Sequence, residues 1–282
     1  MSAMRLPGPD HEAPAKLNLF LHVVGQRADG YHLLQSAFAL IDRVDRLRFR
    51  VRADGEIRRV SDLAGVAPED DLVVRAARAL KVASGTPLGA DIEVEKSIPM
   101  GAGLGGGSSD AATTLIALDR LWDTRLEARA LSALGLALGA DVPFFLFGRN
   151  AWVEGIGERL APIDLPPRWY VVLVPPVAVP TREIFASPEL TRNTEALKMA
   201  DFSAFEGWRN DLEPVVVSRY PQVALHLEWL GRHGKARLTG SGSCVFAGFD
   251  NRATAESVMA QVPAPMKGFV AQGLPRHPLH AP

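Results

Sequence analysis

The seven residues from Gly101 to Gly107 constrain this chain more than any other stretch: five are glycine, and the hydroxyls of Ser108 and Ser109 follow at once. Upstream, Asp91-Ile-Glu-Val-Glu95 alternates apolar and acidic residues like a half-buried strand, and downstream Ala111-Ala-Thr-Thr-Leu-Ile-Ala-Leu118 reads as a helix. A strand, a glycine loop and a helix start in that order make an anion site. Backbone without Cβ atoms can approach a ligand closely and take φ > 0, and unpaired N–H groups at the helix start point at it. The anion that suits such a loop is a phosphate. A flexible turn is the plain alternative, because an isolated glycine pattern carries little weight.

Other phosphate-binding patterns fit poorly. Gly101, Gly103 and Gly106 satisfy G-x-G-x-x-G, but the dinucleotide fold needs a second strand after the helix. Here Thr124-Arg-Leu-Glu127 reads as a capping box opening another helix, from about Leu126 to Leu138. The Walker pattern lacks its lysine, and neither His-Arg-Asp nor Asp-Phe-Gly of the protein kinases occurs. A length of 282 residues suits two domains or one large one. Lys plus Arg at 31 against Asp plus Glu at 32 gives no electrostatic reason to expect nucleic acid or a membrane surface. The single cysteine, Cys244, excludes an internal disulfide and fits a reducing compartment. The N-terminal residues lack the apolar core of a signal peptide, and no apolar run approaches the ~20 residues of a membrane span. A cytoplasmic location is the expectation.

Taken in order, the residues to about Pro14 read as a loose leader, and Ala15 to Val24 alternates as a strand. Lys16 and Asn18 share one face of it, either solvated or turned into a cleft. Gly25 to Gly30 is a turn, and Tyr31 and His32 head a second strand running to about Leu40. Arg46, Arg48, Arg50 and Arg52 then alternate like the solvated face of an edge strand. Asp70 and Asp71 are caps for a helix to about Leu80. Asp141 lies between a helix end and the apolar run Phe144 to Phe147; position alone reads it as a turn-former. Prolines 162, 166 and 167 mark a linker. Beyond them comes a strand from Trp169, helical segments over much of Thr181 to Leu230, a glycine turn into a strand ending at Phe249, a short helix and a final strand at Gly268 to Ala271. That order resembles a split-βαβ sandwich. His277 and His280 have no partner motif and are not read as metal ligands.

Three stretches, Ala15-Lys-Leu-Asn-Leu19, Pro99-Met-Gly-Ala-Gly-Leu-Gly-Gly-Gly-Ser-Ser109 and Leu238-Thr-Gly-Ser-Gly-Ser-Cys244, together resemble the GHMP kinase superfamily. Gly25-Gln-Arg-Ala-Asp-Gly-Tyr-His32, Leu138-Gly-Ala-Asp-Val-Pro143, Glu154-Gly-Ile-Gly-Glu158 and Asn210-Asp-Leu-Glu213 are similar to the branch that acts on 4-diphosphocytidyl-2-C-methyl-D-erythritol. The resemblance runs from about Ala13 to Ala271. Gly240-Ser-Gly-Ser243 is shorter on glycine than in other relatives.

The resemblance implies an α+β, two-domain GHMP kinase fold. Residues 1–163 would form a ribosomal protein S5 domain 2-like unit that binds ATP and carries catalysis. Residues 164–282 would form a ferredoxin-like split-βαβ unit on the substrate side. The implied reaction moves the γ-phosphoryl group of ATP to the substrate's 2-hydroxyl, in the non-mevalonate route to isoprenoid precursors. Asp141 becomes the catalytic acid–base residue, with Lys16 beside it. Pro99, Met100, Gly101, Ala102, Gly103, Leu104, Gly105, Gly106, Gly107, Ser108 and Ser109 would bind the triphosphate, with Lys96 and Leu72, beside Asp71 and Ser97, toward the adenine. Tyr31 and Phe185 would sandwich the cytosine, His32 would bond its edge, and Asn18 and Thr181 would complete the substrate site. Read structurally, Tyr31 is a hairpin aromatic covering the core. ATP brings Mg2+, for which Ser108 or a water held by Asp141 are alternative ligands. The expected partner is a small molecule, with no nucleic acid or membrane, and the chain is a monomer or homodimer. The rivals are a mevalonate- or homoserine-type kinase and a non-catalytic nucleotide- or sugar-sensing relative.

Overall fold

A 21-residue strand, β2 (His32–Arg52), is the spine of the molecule. The computed structural model describes residues 5–63, 65–200 and 208–280. β1 (His11–Gln26) runs antiparallel along one edge of β2, pairing Lys16 with Leu40 and Asn18 with Phe38. The other edge is shared by three strands in succession: β5 (Ala151–Gly155), the end of β10 (Gly268–Leu274) and β4 (Gly89–Glu95). β3 (Ile57–Arg59) extends β4 in parallel, and β6 (Arg159–Pro162) pairs β5.

The arginines of β2 are therefore not on an edge. Arg46, Arg48 and Arg50 stand opposite Glu95, Glu93 and Asp91 of β4, so alternating charge on two strands becomes a ladder of cross-strand pairs. Arg48 is buried and pairs with Glu93 at 3.3 Å and also with Asp10, while Asp91 is shared by Arg50 and by Arg52 at 3.1 Å. The leader is likewise more ordered than its composition suggests, because residues 11–14 already pair with 44–47.

Through β10 the sheet continues into the second half of the chain. β7 (Trp169–Leu173), β8 (Arg237–Leu238), β9 (Val245–Phe249) and β10 lie in the order β10-β7-β9-β8, every pairing antiparallel. This is the split-βαβ arrangement, with α8 (Arg252–Ala260) crossing between β9 and β10. Between β7 and β8 come the helices α5 (Thr181–Phe185), α6 (Glu213–Arg219) and α7 (Pro221–Gly231); among the described residues helix occupies less of Thr181 to Leu230 than its composition implies, and residues 201–207 of that stretch lie outside them.

In the first half, α1 (Leu72–Ser84) starts at an Asp71 cap whose carboxylate accepts from the Val73 N–H. It packs on α2 (Gly106–Leu121), all of whose residues from Ser109 to Leu118 are buried. Such a helix needs small residues on every face, which Ala111, Ala112, Thr113 and Thr114 supply. It also starts earlier than its apolar run suggests, placing Ser108 and Ser109 in the first turn. α3 (Ala128–Leu138) is capped by Glu127 without a side-chain bond, because Thr124 donates its hydroxyl proton to Asp119 instead of closing a capping box. α4 (Val142–Phe147) packs Phe144 and Phe145 fully into the core against α2. After β10 the chain returns to the first half, where buried His277 reaches Thr113.

Candidate active site

The glycine loop is threaded between β1 and the β8–β9 turn. Lys16 N–H donates to Leu104 O at 3.0 Å, and Cys244 N–H donates to Ala102 O at 3.1 Å. Ala102 and Leu104 are buried in the core, while Gly101, Gly103 and Gly105 face a cleft of about 1010 Å³. At Gly103 (φ +79°) a Cβ would lie 2.2 Å from Thr239 O, and at Gly105 (φ +72°) one would crowd the Phe145 ring and Lys16 Cγ. The loop delivers the chain to the N-terminus of α2. There the N–H groups of Gly106, Gly107 and Ser108 have no helical acceptor, and the helix dipole favours an anion.

Lys16 and Asn18 project from β1 into this cleft, although both are almost wholly buried. Lys16 Nζ donates to Asn18 Oδ1 at 2.5 Å and lies 3.4 Å from Asp141 Oδ2. Asp141 occupies the cap position of α4 without a side-chain cap bond, so its carboxylate is left to the cleft and to Lys16. Asn18 Nδ2 donates to Ser36 Oγ at 3.2 Å, and its N–H donates to Thr239 Oγ1 at 3.0 Å. The ammonium is thus held by a polar chain that runs across β1, β2 and the third glycine motif.

Asn210-Asp-Leu-Glu213 is the clasp of that motif. Asn210 Nδ2 donates to Leu238 O and Gly240 O at 2.9 and 2.7 Å, and Glu213 accepts from Leu238 N–H at 2.8 Å. Asp211 accepts from Val23 N–H at 2.8 Å, tying the clasp to β1. Thr181 reaches the same turn, its hydroxyl 2.7 Å from that of Ser241. Glu154 accepts from Gln35 and from the Trp152 indole at 2.9 and 3.1 Å, so that motif stiffens the neighbouring wall.

At the other end of the cleft, the turn before β2 presents Tyr31, which is 61% exposed. Gln26 closes this turn by donating to Gly30 O at 3.0 Å. Phe185 faces His32, with ring centroids 5.0 Å apart and planes at 32°. His32 itself lies on Phe185, while Tyr31 and Phe185 both line this end of the cleft. Arg192 Nε donates to His32 Nε2 at 3.1 Å. Burial, reinforced by this cation, pushes the His32 imidazole below its ordinary range.

Lys96, Ser109 and Leu72, expected at the nucleotide, are not among the residues lining this cleft. Lys96 is clamped by Asp110 at 2.7 Å and by Asp45, and it lines no part of the cleft. Burial lowers its proton affinity, but the two carboxylates more than reverse this, and burial pushes Asp110 up. The Lys96 ammonium is an internal lock between β2 and α2. Ser109 is fully buried and its N–H donates to Gly105 O at 2.9 Å, so Ser108 alone of the pair faces the cleft. Leu72 packs against the core between α1 and α2 beside Gly107, outside the cleft lining.

Comparison with known proteins places this geometry in a family. Residues 71–149 match the GHMP kinases N terminal domain, and residues 192–268 match the GHMP kinases C terminal domain. The 4-diphosphocytidyl-2-C-methyl-D-erythritol kinase of Thiobacillus denitrificans is 60% identical over 268 residues, covering 95% of this chain and 96% of that protein. The chain belongs to this family of GHMP kinases. The Aromatoleum aromaticum kinase of the same name is 58% identical over 270 residues, covering 96% and 95% of the two chains. A crystal structure of 4-(cytidine 5'-diphospho)-2C-methyl-D-erythritol kinase superposes on this GHMP kinase with a TM-score of 0.82 at 33% identity, covering 94% of this chain and 99% of that one. A mevalonate kinase structure, at 15% identity and a TM-score of 0.66, shares the fold. Among the described residues no helix is long and apolar enough to cross a membrane.

Sequence reasoning missed Ser36, Thr239 and Arg192. Ser36 is a single hydroxyl without a motif signal, Thr239 stands in the Leu238 to Cys244 motif, which gives it no role of its own, and Arg192 lies in a connection with no periodicity. Only the three-dimensional approach of these residues to Asn18 and His32 reveals them.

Proposed function

We propose that this kinase transfers the γ-phosphoryl group of ATP to the 2-hydroxyl of 4-diphosphocytidyl-2-C-methyl-D-erythritol, giving the 2-phosphate and ADP. The observation that carries this reading is the Lys16–Asp141 pair, 3.4 Å apart in a cleft with free helix N–H groups beside it and Tyr31, His32 and Phe185 at its far end. Phosphoryl transfer needs positioning and charge placed where charge develops. The amides of Gly106, Gly107 and Ser108 hold the terminal phosphates. Asp141 accepts the proton of the attacking hydroxyl. Lys16, fixed by Asn18, stabilises the alkoxide as it forms and the transferring phosphoryl.

Mg2+ bound to ATP would neutralise phosphate charge. Such an ion keeps several waters and needs few protein oxygens, and the Ser108 hydroxyl and the Asp141 carboxylate in the cleft fit that demand. The phosphate-side groups belong to residues 1–163, while the substrate end is shared, with Tyr31 and His32 from the same stretch and Thr181, Phe185 and Ser241 from residues 164–282. A chain of this kind works in the cytoplasm.

The test is ADP release with ATP, with and without the cytidyl substrate, against mevalonate and homoserine. Turnover only with the cytidyl compound is expected. Turnover with mevalonate or homoserine instead, or ATP binding without turnover on any of them, would overturn the reading.

A further inference from the structure

The cytosine end of the cleft contains a residue with no assigned task. Arg192 Nε donates to His32 Nε2 at 3.1 Å, Nη1 donates to Leu190 O at 3.0 Å, and Nη2 donates to Phe185 O and Ser187 O at 2.9 and 2.7 Å. Four of the five guanidinium N–H groups are thus committed to protein acceptors, so Arg192 is not poised to bind a substrate phosphate. Three of the four fold the connection after α5 around the guanidinium and carry Phe185 with it. The fourth fixes a proton. A guanidinium Nε always bears hydrogen, so His32 Nε2 must present its lone pair. The neutral ring then carries its proton on Nδ1, which has no partner among the described residues while the side chain lines the cleft. A second proton would set two N–H groups against each other, and burial opposes it as well.

A ring nitrogen that only donates discriminates between pyrimidines. Cytosine N3 is an acceptor, whereas uracil N3 bears hydrogen, and an imidazole free to exchange tautomers could answer either one. We infer that Arg192 is a positioning residue for base choice: it locks His32 as the Nδ1–H tautomer, so the cleft meets the base with a fixed donor that suits cytosine N3 and opposes uracil N3–H. This inference rests on the cytidyl substrate proposed above.

The experiment compares kcat/KM for the cytidyl substrate and its uridyl analogue in wild type, Arg192→Met and Arg192→Lys, with KM for ATP as the control for folding. The nitrogen-15 spectrum of His32 is recorded in wild type at neutral pH. Expected are an Nδ1–H signature in wild type and a cytidyl-to-uridyl ratio that falls on the order of tenfold in Arg192→Met, the scale of one hydrogen bond. Arg192→Lys, which keeps a donor for Nε2, should restore part of the ratio. In a His32→Ala background Arg192→Met should not change the ratio further, because the effect acts through the imidazole. An Nε2–H or doubly protonated His32 would overturn the inference. So would an Arg192→Met variant that weakens both substrates equally, since the arginine would then serve only to fold the loop. Failure of wild type to turn over the cytidyl substrate would sink the function and leave the spectrum to decide the tautomer.

Discussion

Two glycines of the phosphate loop differ in what surrounds them, and that difference predicts unequal effects of the same substitution. Gly101 and Gly103 have φ of +65° and +79°, so alanine at either position costs roughly 1–2 kcal/mol of backbone strain. A Cβ on Gly101 meets nothing within 4 Å, whereas on Gly103 it would lie 2.2 Å from Thr239 O and 3.1 Å from Gly242 O. A carbon and a carbonyl oxygen need a further ~1 Å of separation, and the obstruction is backbone that cannot rotate away. Gly103→Ala must therefore push the loop and the β8–β9 turn apart. A displacement of that size at a site of phosphoryl transfer costs on the order of 10²-fold in rate. Steady-state kinetics and thermal melts of both variants are the assay. Gly101→Ala should lose a few degrees in Tm and much less kcat/KM for ATP than Gly103→Ala, which should lose about 10²-fold or more. Equal kinetic effects would refute the claim that loop and turn pack as one rigid cradle.

Asp141→Asn and Lys16→Met should each lower kcat by about 10²–10⁴-fold with little change in KM for ATP; near-normal turnover in either would remove that residue from the chemistry. Tyr31→Ala should raise KM for the cytidyl substrate and leave KM for ATP alone, and equal rises in both would indicate a folding defect instead. Burial, with His280 and Arg120 adding repulsion, pushes His277 down to about 3. The unfolded chain, with an ordinary pKa near ~6.5, then binds the extra proton across the window between these values. The contribution of His277 is therefore full above about pH 6.5 and shrinks as pH falls toward about 3, by roughly 2 kcal/mol at pH 5. Urea unfolding at pH 7 and pH 5 should show His277→Gln losing less stability over that interval than wild type, and an equal loss would contradict the assignment.

Much of the site is written in local sequence because it depends on local geometry. Glycines at 101, 103 and 105, a helix behind them, and Lys16 and Asn18 two apart on one strand each state a constraint that neighbouring residues can express. What sequence hid was long-range. Alternation shows that Arg48 and Arg50 share a face but not that β4 lies opposite with Glu93 and Asp91, so a central strand resembles an edge. Lys96 reads as an adenine-side residue until Asp45, 51 positions away, and Asp110 close on it. The start of α2 gives no signal either, because Gly105 caps it through a left-handed backbone rather than a side chain. Asp141 rests on the family resemblance, since position alone favours a turn-former.

The central claim is that an ammonium on β1 and a carboxylate at the start of α4 meet at the phosphate held by the N-terminus of α2. A crystal structure with a non-hydrolysable ATP analogue and the cytidyl substrate tests it most directly. The terminal phosphate should lie on the amides of Gly106 to Ser108 in contact with Lys16 Nζ, with the 2-hydroxyl about 2.6–3.2 Å from Asp141. A terminal phosphate bound away from both Lys16 and Asp141 would contradict the account.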